Sequence, residues 1–371
     1  MLNSGSTEKG KARFRLVGEV KNTLIFPAHE LHSSMADSMN PSIAILGLGA
    51  IGASIARALY LNRIPFTLLA RDQGRLAELN RGFLFTTGRK RVEINSSSGV
   101  MKASLISSGE TYDRIFLGMK SVHLPESVVA ARKLLTPSGK LILLQNGIPL
   151  DLLPSASAAF CMDGIVGYNV QIKDGSYYQS NAGHLILGED GRMPDKDLKL
   201  ALEPHLPVIL TDNAKGFRWN KLAINCVING LGAISGEPLG PIFGNKHGRE
   251  LAIQLLEETG SVIKAMGVHE EIVPGGISVF KFGRGGWPRI VQHSVLRALG
   301  LKYRQIKTSM LQDIENHRPT EVRSIHGAVL DAARKVNVAV PRMKAVVETI
   351  GYIEKGEMSP YPGLLSELAK A

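Results

Sequence analysis

The sequence predicts an α/β protein with a parallel sheet in its N-terminal part and an all-helical region after it. An apolar run at residues 43–46 leads directly into a glycine-rich turn and then into an alanine-rich helical segment. Short strand-like runs continue to about residue 212, whereas from residue 213 onward apolar residues recur at helical spacing. These observations predict an α/β architecture in the N-terminal part of the chain and a helical architecture in the C-terminal part.

The turn after the first strand has the spacing G-x-G-x-x-G, formed by Gly47, Leu48, Gly49, Ala50, Ile51 and Gly52. Gly47 allows a tight turn, Gly49 lets the backbone approach a phosphate, and Gly52 lets the helix pack closely on the strand. The start of the helix offers free N–H groups and a positive dipole end to a pyrophosphate. With a second strand at residues 66–70, this pattern predicts a Rossmann-type dinucleotide-binding domain; a structural turn without a ligand is the alternative.

Arg71 at the end of the second strand indicates which dinucleotide is bound. An enzyme that uses NAD places an acid there, which accepts a hydrogen bond from the ribose 2′-hydroxyl. A guanidinium instead pairs with a 2′-phosphate. We therefore expect NADPH as the cofactor, with Asp72 as an alternative ligand of the ribose.

The length of 371 residues and a hydrophobic fraction of 44% allow two domains with buried cores. We expect a disordered N-terminal extension over residues 1–40, an NADP-binding Rossmann-type domain over 41–212, and a helical substrate and catalytic domain over 213–371. Further strands are predicted at residues 83–87, 91–94, 114–117 and 140–144. A later group, residues 165–172, 177–179 and 184–187, is predicted to extend the sheet in antiparallel fashion.

Composition excludes several classes of protein. No uncharged apolar stretch is long enough to cross a bilayer, so we expect a soluble protein without a membrane partner. Cys161 and Cys226 lie in apolar runs, which favours buried thiols and a reducing, cytoplasmic compartment. The histidines form no convincing ligand set, and His317 and His326 are expected in surface or capping roles. We expect no metal.

The net charge of +11 is concentrated in one segment. Residues 272–312 contain no acid and carry seven basic residues: Lys281, Arg284, Arg289, Arg297, Lys302, Arg304 and Lys307. Aromatic residues among these charges are few, chiefly Phe280, Phe282 and Trp287, and no known binding module is present, so nucleic acid is not the expected partner. A solvated surface, a surface facing a second copy in a homodimer, and attraction of an anionic cofactor or substrate are the alternatives.

A polar stripe marks the first predicted helix of the C-terminal region. Lys221, Asn225 and Asn229 are spaced four apart on a segment that is otherwise apolar. In a cleft, a lysine and two amides supply a cation and hydrogen-bond donors for a carbonyl or carboxylate group. The alternative is an exposed face of an amphipathic helix.

A second polar group lies near Pro319, which should end or kink the preceding helix. Thr320 or the residues before it can cap the next helix, which places Glu321 in a first turn, where the helix dipole stabilises a carboxylate. A catalytic role for Glu321 requires that it lie beside Lys221.

Several motifs in sequence order resemble the ketopantoate reductase (2-dehydropantoate 2-reductase) family, from about residue 42 to 341. The motifs are Gly47-x-Gly49-x-x-Gly52, Lys120, Gln145-Asn146-Gly147, Lys221-Leu-Ala-x-Asn225, Ser309-Met-x-x-Asp313 and Thr320-Glu321. The resemblance implies an active site in a cleft between a Rossmann domain and a helical domain, with NADPH as hydride donor.

By the same resemblance, Lys221 is the general acid and Glu321 holds Lys221 or a substrate hydroxyl. Asn225, Asn229 and Ser309 orient the substrate, and Lys120 and Asn146 line the junction of cofactor and substrate. The expected reaction is reduction of 2-dehydropantoate to pantoate.

The chain departs from the family pattern in residues 272–308, which are longer and more basic, and in residues 164–170. Another 2-oxo acid or ketone is therefore the alternative substrate. A non-catalytic NADPH-binding sensor is a further alternative, which the presence of both Lys221 and Glu321 disfavours.

Overall fold

A computed structural model describes residues 41–283 and 285–370. The predicted N-terminal extension over residues 1–40 and Arg284 of the basic segment lie outside these ranges. No helix within the described ranges is long and apolar enough to cross a bilayer.

Twelve strands occur in the described ranges: β1 (Ile43–Leu46), β2 (Phe66–Ala70), β3 (Phe83–Thr87), β4 (Lys90–Ile94), β5 (Met101–Leu105), β6 (Tyr112–Leu117), β7 (Leu135–Leu143), β8 (Cys161–Val166), β9 (Val170–Lys173), β10 (Ser176–Gln179), β11 (Leu185–Gly188) and β12 (Val208–Thr211). Eight of them form the main sheet in the order β12-β11-β8-β7-β6-β1-β2-β5. The six strands from β8 to β5 are parallel, and β11 runs against β8. The predicted Rossmann-type sheet is confirmed.

The later strands only partly follow the prediction of an antiparallel extension. β11 joins the main sheet antiparallel to β8 as expected, but β9 and β10 do not join it. They form a separate four-stranded sheet in the order β4-β3-β10-β9, in which β10 pairs in parallel with β3. The prediction was wrong for these two strands because the alternation of side chains gives a strand but not its neighbour.

Twelve α-helices occur in the described ranges: α1 (Ala50–Leu61), α2 (Gln73–Asn80), α3 (Leu124–Arg132), α4 (Asp197–Leu202), α5 (Ala214–Ser235), α6 (Leu239–Gly244), α7 (Lys246–Ala265), α8 (Arg289–Lys302), α9 (Ser309–Glu315), α10 (Val322–Lys335), α11 (Pro341–Glu354) and α12 (Leu364–Lys370). From α5 onward the described chain contains helices and no named strand. The predicted all-helical C-terminal region is confirmed.

Both faces of the main sheet are buried, as the continuous apolar run of β1 requires. Ile43 and Ile45 pack in the cluster that contains α1, whereas Ala44 and Leu46 pack in the cluster that contains α3. Successive side chains of a strand point to opposite faces, so an unbroken apolar strand indicates helices on both sides. A third cluster joins α5 to the other C-terminal helices.

The strand order places a crevice beside β1. The chain moves from β1 to β2 on one side of the sheet, and β6 lies on the other side of β1. In open α/β sheets, ligands bind beyond the carboxyl ends of the strands where the order reverses in this way. Here that point lies between the ends of β1 and β6.

His326 contradicts the expected surface or capping role. It lies in α10 with none of its surface exposed, and its Nε2 is 2.9 Å from the carbonyl oxygen of Cys226 in α5. Cys161 and Cys226 are buried, as predicted. In the sequence, a histidine with apolar residues one helical turn before and after it fits either face of an amphipathic helix. Only the packing of α10 on α5 shows that His326 faces inward.

Candidate active site

The glycine-rich turn has the geometry of a phosphate cradle. Gly47 has φ of +96°, a conformation that side-chain-bearing residues rarely adopt, and a Cβ on it would lie 2.7 Å from the backbone nitrogen of Met119. A Cβ on Gly52 would collide with the Gly47 carbonyl oxygen, so the helix packs closely on the turn as expected. Gly49 is the N-cap of α1 and supplies no side chain to cap it. The first N–H groups of α1 thus remain available to an anionic ligand.

Arg71 lies directly after β2 and is held by residues of α3. Its Nη1 is 3.0 Å from Glu126 Oε1, and its Nη2 donates to the Ser127 hydroxyl at 2.8 Å. Asp72, the alternative ribose ligand, caps α2 by accepting a hydrogen bond from the Arg75 backbone at 2.8 Å. The guanidinium therefore stands at the expected end of β2, with a carboxylate as its partner.

Three residues from separate parts of the chain meet through their side chains. Lys221 Nζ in α5 donates to Asn146 Oδ1 at 3.0 Å. Asn146, just after β7, donates through Nδ2 to Glu321 Oε2 at 3.2 Å. The Asn146 amide links the amine to the carboxylate, so Glu321 is connected to Lys221 through Asn146 and not by a direct hydrogen bond.

Glu321 occupies the N-cap position of α10 rather than its first turn. The Thr320 hydroxyl accepts a hydrogen bond from the Val322 backbone at 3.2 Å, so Thr320 supplies the capping oxygen. The Glu321 side chain makes no capping hydrogen bond and is free to reach Asn146. The preceding helix, α9, ends at Glu315, before Pro319.

Burial changes the acidity of Lys221. Desolvation and, to a smaller extent, the nearby charge of Arg218 lower its pKa, and the charge of Glu321 raises it; the net result is a pKa lowered from 10.5 to about 7. A lysine whose pKa is close to neutrality can give up a proton and regain it from water. The electrostatics of this site therefore suit proton transfer.

Sequence reasoning missed Arg218, which is buried three residues before Lys221. Its Nη1 donates to the Gln145 carbonyl oxygen at 2.7 Å, and its Nη2 donates to the Asp163 carboxylate. The contact fixes the backbone next to Asn146 against α5. The local sequence gives no signal for this burial, because the partners that satisfy the arginine, Gln145 and Asp163, lie far away in the chain.

The remaining predicted substrate residues lie along α5 and α9. The Ser309 hydroxyl donates to Asn229 Oδ1 at 3.2 Å, and Asn229 is buried. Asn225 is partly exposed, on the same side of α5 as Lys221. The amides thus continue the line that begins at Lys221.

Lys120 reaches from the end of the sheet to the C-terminal helices. It follows β6, its side chain is 57% exposed, and its Nζ is 3.9 Å from Asp313 Oδ1 in α9. Gln145 also binds this turn, because its Nε2 donates to the Leu117 and Met119 carbonyl oxygens at 2.8 and 3.1 Å. The ends of β6 and β7 are therefore fixed beside α9 and α5. No cluster of potential metal ligands occurs among the described residues.

Two family models match the two parts of this chain. "Ketopantoate reductase PanE/ApbA" matches residues 43–191, and "Ketopantoate reductase PanE/ApbA C terminal" matches residues 213–354. The chain belongs to the ketopantoate reductase PanE/ApbA family. Members of this family are oxidoreductases with a dinucleotide-binding fold, and this chain is an oxidoreductase of that family.

Curated relatives are distant but extend along most of the chain. A 2-dehydropantoate 2-reductase of Archaeoglobus fulgidus is 24% identical over 326 residues, which cover 85% of this chain and 98% of the relative. An uncharacterized oxidoreductase of Bacillus subtilis is 23% identical over 304 residues, covering 76% of this chain and 94% of the relative.

Solved structures share the fold at low identity. A PanE/ApbA family ketopantoate reductase from Ralstonia eutropha superposes with a TM-score of 0.69 at 19% identity, covering 85% of this chain and 99% of that chain. A D-mandelate dehydrogenase solved with NADH and anilino(oxo)acetate has a TM-score of 0.67 at 19% identity, with the same coverage. Enzymes of more than one name therefore have this architecture.

Proposed function

We propose that this protein reduces 2-dehydropantoate to pantoate with NADPH, with Lys221 as the general acid. The observation that carries the proposal is the chain of hydrogen bonds from Lys221 through Asn146 to Glu321. Family membership and the relatives named 2-dehydropantoate 2-reductase support this choice of substrate. We also propose residues 41–212 as the cofactor domain and 213–371 as the catalytic domain.

Lys221 supplies the proton that the reaction needs. A bound reduced nicotinamide would supply a hydride to the 2-oxo carbon, and negative charge then develops on the carbonyl oxygen. Lys221 Nζ gives its proton to that oxygen, which completes the hydroxyl group of the product. The neutral amine is protonated again from water, and the Asn146 amide keeps Nζ oriented during both steps.

Asn146 and Glu321 act on Lys221 in different ways. Asn146 fixes the position of Nζ through its oxygen and uses its amide nitrogen to hold Glu321. Glu321 favours the protonated amine by its negative charge. The charge of Glu321 thereby offsets part of the loss of basicity that burial and the charge of Arg218 cause in Lys221.

The turn at residues 47–52 fits a dinucleotide. Its backbone closely approaches the turn after β6, and α1 begins with uncapped N–H groups that suit a pyrophosphate. We assign Gly47, Leu48, Gly49, Ala50, Ile51 and Gly52 to the pyrophosphate, and Lys120 and Asn146 to the junction with the substrate. Arg71 supports NADPH over NADH because a guanidinium suits a 2′-phosphate.

Asn225, Asn229 and Ser309 are assigned to the polar groups of the substrate. They extend the line of Lys221 along α5 and across to α9. Amide and hydroxyl groups can both donate and accept, which suits a carboxylate at one end and a hydroxyl at the other.

The test is oxidation of NADPH, followed by its absorbance, when purified protein is mixed with 2-dehydropantoate, pyruvate and other 2-oxo acids. Selective turnover of 2-dehydropantoate supports the proposal. Tight binding of NADPH with turnover of a different 2-oxo acid favours the second candidate, a reductase of another carbonyl substrate on this fold. The unusual segment 272–308 is the observation behind that candidate. Binding of NADPH without turnover of any carbonyl compound would favour the remaining alternative, a non-catalytic NADPH-binding sensor.

A further inference from the structure

One face of α5 is left open beside the candidate active site. Lys221, Ile224, Asn225 and Ile228 are spaced as one helical face, and all four are partly exposed although most of α5 is buried. Two apolar side chains thus stand next to the proposed acid and the proposed substrate amide. A substrate that reaches Lys221 also meets an apolar surface.

The loop formed by residues 273–277 lies along one side of this face. A Cβ on Gly276 would lie 3.2 Å from Ile224 Cδ1, so the loop backbone passes close to the Ile224 side chain. Val273 packs against the apolar cluster that contains Phe217, one turn before Lys221. Ile277 packs against the helical core. The loop contributes an apolar edge and no charged side chain of its own.

Asn220 fixes this loop to α5. It has none of its surface exposed, and its Nδ2 donates to the Ile277 carbonyl oxygen at 2.9 Å. Its Oδ1 accepts a hydrogen bond from the Val273 backbone at 3.1 Å. Both ends of the loop are therefore held by the residue that directly precedes Lys221.

Glu270 strengthens the attachment. Its carboxylate accepts hydrogen bonds from Asn220 Nδ2 at 3.0 Å and from the Ser278 hydroxyl at 2.6 Å. A buried amide with its donor and acceptor both satisfied favours one arrangement of the loop over others. A loop fixed in this way can discriminate by shape.

We propose that Ile224 and loop 273–277 form an apolar wall of the substrate site, and that Asn220 is a positioning residue that holds this wall. The wall selects 2-oxo acids whose carbon next to the ketone is branched and apolar. The inference rests on the proposed function and assigns to named residues the selection of its substrate. 2-Dehydropantoate, with a fully substituted carbon beside the ketone, belongs to this class, whereas pyruvate does not.

The test compares kcat/KM for pyruvate, 2-oxobutanoate, 3-methyl-2-oxobutanoate and 3,3-dimethyl-2-oxobutanoate. One methylene group in an apolar pocket changes kcat/KM by roughly 10- to 200-fold. We expect the branched acids to exceed pyruvate by at least about tenfold, and Ile224→Ala to remove about tenfold of that preference. Ile290→Ala is the matched control, because Ile290 lies on α8 and is 76% exposed.

Asn220→Ala tests the positioning role separately. We expect KM for the branched acids to rise about tenfold or more, with kcat and the Kd of NADPH changed little. A purely structural role would lower stability and affect all the acids alike. Should Asn220→Ala fail to fold, Ile224→Ala decides the proposal.

The possible outcomes distinguish a failure of the apolar-wall proposal from a failure of the proposed function. Turnover of 2-oxo acids with the same preference in wild type and Ile224→Ala overturns the wall and leaves the proposed function intact. NADPH binding without turnover of any 2-oxo acid by the wild type overturns the proposed function, and the wall falls with it.

Discussion

Lys221 Nζ lies 3.0 Å from Asn146 Oδ1, although the two residues come from α5 and from the turn after β7. The contact joins the end of the parallel sheet to the first helix of the C-terminal region. It also connects Lys221 to Glu321, because the same amide donates to that carboxylate. One asparagine thereby brings together the amine and carboxylate on which the proposed chemistry depends.

The pH dependence of reduction should follow Lys221. Because its pKa is lowered to about 7, the protonated amine is lost as pH rises through that value. We expect kcat/KM to fall above pH 7. Glu321→Gln removes the charge that favours protonation and should move the midpoint to lower pH, whereas Asn146→Asp should move it to higher pH. Glu315→Gln, an exposed carboxylate on α9, is the control. The same midpoint in all variants would contradict the assignment of the pH dependence to Lys221.

Cofactor choice should depend on Arg71 and its partner Glu126. Arg71→Glu replaces an attraction to the 2′-phosphate by repulsion, so the Kd of NADPH should rise at least about tenfold more than that of NADH. Glu126→Gln removes a carboxylate that lies 3.0 Å from the guanidinium and should tighten NADPH alone. Both constants can be measured by nucleotide fluorescence. Equal losses for NADPH and NADH in Arg71→Glu would argue against a 2′-phosphate contact.

The buried pair of Arg218 and Asp163 should matter for stability. Arg218→Met leaves the Asp163 carboxylate buried without its cation, which typically costs about 3–5 kcal/mol of unfolding free energy. Adding Asp163→Asn should restore part of that loss, because the unpaired charge is removed. Denaturant unfolding of the single and double variants measures both the loss of unfolding free energy and its recovery. A double variant no more stable than Arg218→Met would show that the loss comes from the hydrogen bonds to the Gln145 and Leu143 backbone.

His326 should make the fold sensitive to mild acid. Burial lowers its pKa from 6.5 to about 4, so between these values the unfolded chain binds the proton more readily than the folded chain does. This contribution to unfolding free energy is complete above pH 6.5 and is lost as pH falls towards 4, by about 3 kcal/mol. His326→Gln keeps a donor for the Cys226 carbonyl oxygen and should flatten the slope. His269 is exposed, so His269→Gln should leave the slope unchanged.

The sequence predicted the elements that depend on local pattern. Gly47, Gly49 and Gly52 occupy the expected turn between β1 and α1, and Arg71 stands at the end of β2. The strand and helix positions follow from periodicity, and the glycines mark a turn whose backbone conformation and close packing leave no room for a side chain. The pairing of β10 with β3 could not be predicted, because strand partners depend on contacts between distant residues.

The candidate site was predicted as a set of residues but not as a geometry. Lys221, Asn146 and Glu321 carried the family pattern, yet only the fold shows that Asn146 lies between the other two. Arg218 and Asn220 looked like ordinary helical residues, because burial of a polar side chain is decided by what packs against it. Their roles become visible only when their partners are known.

The most direct test of Lys221 as the general acid is single-turnover oxidation of NADPH by Lys221→Ala in the presence of 2-dehydropantoate. Lys215→Ala, an exposed lysine on the same helix, is the control. We expect a loss of roughly 100- to 10,000-fold in the rate of hydride transfer for Lys221→Ala, with NADPH binding retained and the control unchanged. A folded Lys221→Ala protein that turns over at the wild-type rate would contradict this expectation.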